Sequence, residues 1–320
     1  MAKAFLERLK DDEILFHYAP LHSLLADWGK DLESNLSDWI VKNPDKYQDA
    51  LVQSYKAGCT LGCTQTQAAS PWRAATFGMR DDIHEFNYRS AKLAREVTPP
   101  GHYVLAMVST TNPDFIEPLG NMTYREVYDG YKEQISALLE GGIDLFMIGG
   151  NHLDEALVAI QVARDLCSLP IISQNIFYTT KKGFRTMMGL DPVTASAKLE
   201  SAGVEIIGGS CGLMSKVGDG SDYYRAATAL VKEMRKGCSK PLVIQPNAGM
   251  PLLVEGQTLY PATPAQMAEE VEHWVCAGAR LVGGCCGTNL DHYKAISKKI
   301  GGRTAIQITE SKQAADRNSA

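Results

Sequence analysis

The chain has 320 residues, 45% of them hydrophobic and 22% charged, proportions ordinary for a soluble globular protein that exclude a disordered or fibrous chain. A net charge of −5 without clustered Lys and Arg argues against an electrostatic nucleic-acid binder, and no apolar run approaches the ~18–20 residues needed to span a bilayer. The start, MAKAFLERLKDDE, lacks an apolar core before a small-residue cleavage site, so a cytoplasmic location is expected, where the eight cysteines serve more readily as metal ligands or nucleophiles than as disulfides.

In chain order, short apolar runs bounded by turn residues predict strands at Ile14–Phe16, Leu61–Thr64, Tyr103–Val108, Leu145–Ile148, Pro170–Ser173, Glu205–Gly208, Leu242–Gln245 and Leu281–Gly283. Helical spacing separates them: Val127, Tyr131, Ile135 and Leu138 recur every three or four residues, as do Tyr223, Ala227, Leu230, Val231 and Met234. Gly141, Gly203, Gly237 and Gly278 stand where left-handed helix caps are wanted. Eight strand–helix units predict a single-domain (β/α)8 TIM barrel over residues 1–302, followed by a polar C-terminal tail over 303–320. A doubly wound sheet is the competitor, but no GxGxxG follows the first strand and no Walker lysine is present.

Barrel chemistry sits at the C-terminal ends of the strands. Strand six, VEIIGGSCG, ends at Cys211, and strand eight, ARLVGGCCGT, ends at Cys285 and Cys286. Adjacent residues of an extended strand diverge, but Gly283, Gly284 and Gly287 permit turns that bring both sulfurs to one side. Three thiolates with one open position is the pattern of a catalytic zinc site. Cys59, Cys63, Cys167, Cys238 and Cys276 read instead as small buried hydrophobes. An all-thiolate zinc is a weak Lewis acid toward water; alkyl transfer involving a soft ligand is its natural use.

GGCCGT after strand eight, the Cys211 strand ending and PNAGMP at 246–251 resemble the homocysteine S-methyltransferase family, which includes the homocysteine-binding domain of cobalamin-dependent methionine synthase and betaine–homocysteine methyltransferase. YKAGCTLGCTQT resembles the family's second-strand region, and ATPAQMAEEVEHWVCAGARLVGGCCG is a close match. The resemblance implies a (β/α)8 barrel and carries three zinc ligands onto Cys211, Cys285 and Cys286. It also has departures. The family's first strand ends in Asp-Gly-x-Met-Gly-Thr, where this chain reads HYAPLH; its fourth strand ends in Glu-Thr, where this chain has Gly149 and Gly150. Both carboxylates that would hold the ammonium of homocysteine are replaced, and a desolvated cation left unpaired costs several kcal/mol.

The leading expectation is therefore a Zn2+-dependent methyltransferase. It would move a methyl group from a small O-, N- or S-methyl compound, such as an aryl methyl ether, to a corrinoid (cobalamin) carried by a partner protein. A homocysteine S-methyltransferase forming methionine is the alternative. A noncatalytic zinc barrel and a phosphate-binding aldolase barrel rank lower, the latter because no strand-end lysine is predicted. His17 and His22, at the strand-one terminus, are the candidate proton donors. Tyr18, Gln65, Gln67, Asn151, Asn175 and Asn247 are the candidate substrate-binding residues. Membrane and nucleic-acid partners are not expected, and a homo-oligomer is compatible with the sequence.

Overall fold

The short apolar runs become eight parallel strands: β1 (Leu15–Phe16), β2 (Leu61–Cys63), β3 (Tyr103–Thr110), β4 (Leu145–Gly150), β5 (Ile171–Ile176), β6 (Ile206–Ser210), β7 (Leu242–Gln245) and β8 (Ala279–Val282). The computed structural model describes residues 4–21, 24–25, 28–30, 34–110, 116–212, 215, 220–255 and 257–318. The strands follow one another around the sheet, with β8 against β1. The seam between β1 and β2 is closed by the Thr60 N–H donating to the Phe16 carbonyl at 2.8 Å and the Phe16 N–H donating to Thr60 Oγ1 at 3.0 Å. The result is a (β/α)8 barrel.

Helices α1 (Pro44–Lys56), α2 (Ile83–Val97), α3 (Tyr124–Glu140), α4 (Leu153–Leu166), α5 (Pro192–Ser201), α6 (Gly220–Arg235), α7 (Pro264–Ala277) and α8 (Leu290–Ile300) cover the outside. The periodic apolar residues of α3 and α6 are all buried, because a helix in this position must press one stripe against the sheet. Alternation divides each strand between two cores. Val104, Ala106, Phe146, Ile171, Ile207 and Ile244 join the outer core under the helices. Leu15, Leu61, Leu105, Leu145, Ile172, Ile206, Val243 and Leu281, one from each strand, fill the barrel itself. Phe5 and Leu9 of the N-terminal helix Phe5–Lys10 join this inner core from below, Phe5 meeting the edge of Tyr103 at 5.3 Å.

Three expectations change. Gly203 and Gly278 take left-handed conformations (φ +78° and +119°), but Gly141 and Gly237 do not. They are glycines because neighbouring helices come too close for a side chain: an added Cβ would lie 2.4 Å from Ala91 Cβ and 2.2 Å from the Val193 carbonyl oxygen, respectively. The segment after residue 302, expected to be a polar tail, instead forms helix α9 (Ala305–Asn318) against α7. Two apolar side chains, Ala305 and Ile308, are buried there, and Arg303 and Lys312 pair with Glu272 of α7. Two hairpins were also missed, Tyr178–Thr180 with Gly183–Arg185 after β5 and Leu252–Val254 with Gln257–Leu259 after β7. Among the described residues, no helix is long and apolar enough to cross a membrane.

Candidate metal centre and substrate pocket

Above the inner apolar layer, the same alternation turns His17, Cys63, Met107, Met147, Gln174, Gly208, Gln245 and Gly283 toward the barrel axis. All are neutral types at pH 7 once His17 is accounted for. Burial pushes the pKa of this fully enclosed histidine down to about 3. Gln174 Nε2 lies 3.4 Å from His17 Nε2 and donates to Gln245 Oε1 at 2.9 Å; Gln245 Nε2 in turn reaches the Gly284 carbonyl at 3.4 Å. An amide N–H facing Nε2 places the imidazole proton on Nδ1. His17 Nδ1 and Gln174 Oε1 are both buried and have no protein partner.

Beside this polar group the chain turns bring the three cysteines together. Cys211 follows β6 in a left-handed conformation (φ +52°), with its N–H donating to the Gln245 carbonyl at 3.0 Å. A non-glycine residue held there is a strained position typical of functional sites. Past the end of β8, Cys285 N–H donates to the Pro246 carbonyl and the Cys286 carbonyl accepts from Ala248 N–H, both at 2.9 Å. The β8 turn is thus tied to the β7 turn. Gly287 (φ +79°) completes it, and a Cβ there would lie 2.1 Å from Tyr260 Cγ. The glycines do allow both adjacent sulfurs onto one side, as expected.

The Cys211 and Cys286 sulfurs are 3.8 Å apart and those of Cys285 and Cys286 3.9 Å, and all three lie within 4.8 Å. Zinc–sulfur bonds of about 2.3 Å at tetrahedral angles separate their sulfurs by about 3.8 Å, so the residues fit a tetrahedral Zn2+ with one position left over. Hydrogen bonds from the Cys285 and Cys286 thiols, then the Gly212 N–H and the Asn247 side chain, hold the Cys211 thiol well below its usual range against the opposing effect of burial. Cys285 and Cys286, which donate to it, are pushed up.

The remaining candidates divide. Tyr18 stays a neutral phenol, pushed up by burial and by the neighbouring Cys63 and Cys285, and its ring lies 4.7 Å from that of His17. Asn247 donates to the Gly212 carbonyl at 3.2 Å and belongs to the cysteine cluster. Gln65 is buried in a left-handed turn after β2, with its Nε2 unpartnered; Gln67 Oε1 is likewise buried and unpartnered. Asn151 is half-buried and accepts from Tyr178 of the first hairpin at 3.4 Å. Asn175 is out of phase: it shares the outer side of β5 with Ile171, and Gln174 is the neighbour that turns inward.

His17 is fully enclosed, and burial lowers its pKa to about 3, which disfavours at pH 7 the protonated form expected of a general acid. It remains a hydrogen-bond donor. His22 lies outside the described residues. Of the cysteines read as core, Cys59, Cys63 and Cys238 are buried, Cys167 is half-buried and Cys276 is exposed. Gln245, Met107 and Met147 are not among the residues the sequence reading considers, although counting alternate residues along each strand places them, with Gln174, toward the axis.

A family model described as homocysteine S-methyltransferase matches residues 18–300. Methionine synthase of Mycobacterium leprae is 26% identical over 268 residues, covering 80% of this chain and 21% of that protein. Methionine synthase of Mycobacterium tuberculosis is 23% identical over 270 residues, covering 80% and 22%. The chain thus spans about a fifth of the length of these relatives. Among solved structures, the metallated homocysteine methyltransferase MmuM from Escherichia coli superposes with a TM-score of 0.71 at 20% identity, covering 91% of this chain and 98% of that one.

Proposed function

This chain belongs to the homocysteine S-methyltransferase family, and from that premise we propose that it is a Zn2+-dependent methyltransferase whose methyl donor is a small methylated compound and whose acceptor is a corrinoid carried by a partner protein. The observation that carries the reading is the three-sulfur cluster at the barrel mouth beside a floor of neutral side chains. When bound, zinc would supply Lewis acidity toward the donor's heteroatom. Cys211, Cys285 and Cys286 would hold it, and Asn247 keeps the Cys211 side chain in place. Gly149 and Gly150 occupy the strand-four end where a carboxylate would hold an amino acid's ammonium. Glu155, buried in the first turn of α4, accepts from the Tyr131 hydroxyl.

The partner half of the reading draws on the surface. Apart from Ile306, the large hydrophobic side chains exposed among the described residues all lie between a strand's C-terminal end and the helix that follows, or at that helix's first residue: Leu119 and Tyr124 after β3, Met187 and Met188 after β5, and Leu252, Leu253, Val254 and Leu259 on the hairpin after β7. Exposed apolar groups on the strand-end side of a barrel fit a protein that docks on that side. Homocysteine S-methylation is the second reading, favoured by an all-thiolate centre suited to a thiol substrate.

Incubating zinc-loaded protein with methoxylated aromatic compounds and Co(I) cobalamin, and separately with L-homocysteine as acceptor, tests the proposal. Loss of the Co(I) absorbance with little methionine is the expected result. Methionine formed at a comparable or higher rate overturns it in favour of the second reading.

A further inference from the structure

A cavity of about 310 Å3 lies at the end of the barrel opposite the cysteines. It is bounded by residues that lead into three strands, Glu13 before β1, Thr60 before β2 and His102 before β3, and by the last turn of α8 with the link to α9. Clefts that hold small ligands begin at about this size. Its lining carries Arg8 and Arg303 against the single carboxylate of Glu13, an excess of positive charge in a chain of net charge −5. Glu272, which pairs with Arg303, is shared with Lys299 at 3.7 Å and Lys312 at 3.5 Å and so does not cancel that excess. Burial, and then the neighbouring Arg8, hold His102 below its usual range, so it adds little charge at pH 7.

Donors on these residues have no partner among the described residues. Arg8 donates from Nε to Glu13 and from Nη1 to the Gly101 carbonyl, both at 2.8 Å, which leaves Nη2. Arg303 donates from Nε to the Ile300 carbonyl at 3.0 Å and from Nη2 to Glu272 and the Lys299 carbonyl, which leaves Nη1. It thereby covers the last carbonyls of α8, the negative end of a helix that would otherwise repel an anion. Ser297 Oγ is a third free donor. These donors come from three separate segments, an arrangement better matched by the several oxygens of a tetrahedral phosphate than by a planar carboxylate. Ile14, Phe16 and Ile300 supply an apolar part of the wall.

We propose that this cavity binds a small organic phosphate monoester, its phosphate on the side of Arg8 and Arg303 and its carbon body against Ile14, Phe16 and Ile300. The site is separate from the metal centre and independent of the methyltransferase reading.

The test is calorimetric titration of the full-length protein at low ionic strength, where charge pairing is least screened, with phenyl phosphate, benzoate, inorganic phosphate and benzyl alcohol as probes. Phenyl phosphate should bind once per chain and more tightly than each of the others, which lack the phosphate oxygens, the carbon body or the charge. Arg8→Gln and Arg303→Gln should each weaken it about tenfold or more, the scale of one hydrogen bond to a charged group, and Arg8→Lys should retain part of what Arg8→Gln loses. If circular dichroism shows that Arg303→Gln also loosens α9, Arg8→Gln decides, because it leaves the contacts of α9 in place. The Cys285→Ala, Cys286→Ala double variant should bind phenyl phosphate as the unaltered protein does. The proposal is overturned if phenyl phosphate does not bind, if another probe binds as tightly, or if Arg8→Gln leaves the affinity unchanged. Loss of binding in the cysteine double variant would place the anion at the metal centre and overturn it as well.

Discussion

Cys211 and Cys286 are 75 positions apart in the chain, yet their sulfurs lie 3.8 Å apart across the barrel mouth. The contact exists because the backbone after β6 and the backbone after β8 both hydrogen-bond to the β7 segment between them, Cys211 to the Gln245 carbonyl and Cys285 to the Pro246 carbonyl. The site is therefore positioned by backbone pairing and not by the cysteine side chains. Cys211→Ala and the Cys285→Ala, Cys286→Ala double variant should lose bound zinc, measured by atomic emission, while far-UV circular dichroism stays that of the barrel. Full zinc occupancy in the double variant would remove the assignment.

Gly287 ought to be intolerant of even one methyl group. Its φ of +79° disfavours any side chain, and an added Cβ would meet the Tyr260 ring at 2.1 Å. Relief requires moving Tyr260 or the turn that carries Cys286. Gly287→Ala should weaken zinc binding about tenfold or more in a competitive chelator titration, corresponding to the 1–3 kcal/mol of a strained backbone position. Adding Tyr260→Ala should recover only the part due to contact. A single variant with unchanged zinc affinity would mean that the turn does not set the position of Cys286.

Most of the barrel was legible because parallel strands covered on both faces must be apolar runs, and the eight runs appear as such. The cysteine cluster was legible too, since GGCCG leaves a turn as the way to bring both sulfurs to one side. The neutral floor was harder. Gln174 and Asn175 are adjacent polar residues, and alternation from Ile172 in the inner core and Ile171 in the outer one places the first inside and the second outside. The helix after residue 302 was missed because Ala305 and Ile308 are few apolar positions among polar ones, and its seat against α7 also involves Glu272 on a distant segment. The hairpin after β7 escaped notice because its apolar residues are exposed, which no periodicity rule anticipates.

His17 should leave a signature in the acid stability of the protein. Its pKa is near 6.5 in the unfolded chain and about 3 when folded, so below pH 6.5 the unfolded state takes up a proton that the folded state refuses. Stability is then fully present above pH 6.5, is lost progressively as pH falls toward 3, and changes no further below that. At pH 5 the loss is about 2 kcal/mol. Urea unfolding at pH 7 and pH 5 should show this difference in the unaltered protein and a correspondingly smaller one in His17→Gln. Identical pH dependence in the two would mean that the imidazole is not held neutral by burial.

The exposed hairpin after β7 separates transfer to a free cofactor from transfer to a protein-borne one. Leu253 is 78% exposed and Leu252 and Val254 accompany it on the same strand, yet none contributes to the metal cluster or the pocket floor. Aliphatic groups left in water bring no benefit to a small-molecule reaction, but burying them beneath a docked protein is favourable at roughly 25 cal/mol per Å2. A Leu252→Ser, Leu253→Ser variant should therefore methylate free Co(I) cobalamin at the unaltered rate, because the site itself is untouched. With a corrinoid-binding protein as acceptor, the same variant should show a KM raised about tenfold, equivalent to the ~1.4 kcal/mol of a modest loss of interface. A proportional fall with both acceptors would place the hairpin's effect on the site, and no change with either would leave the apolar rim without a role in docking.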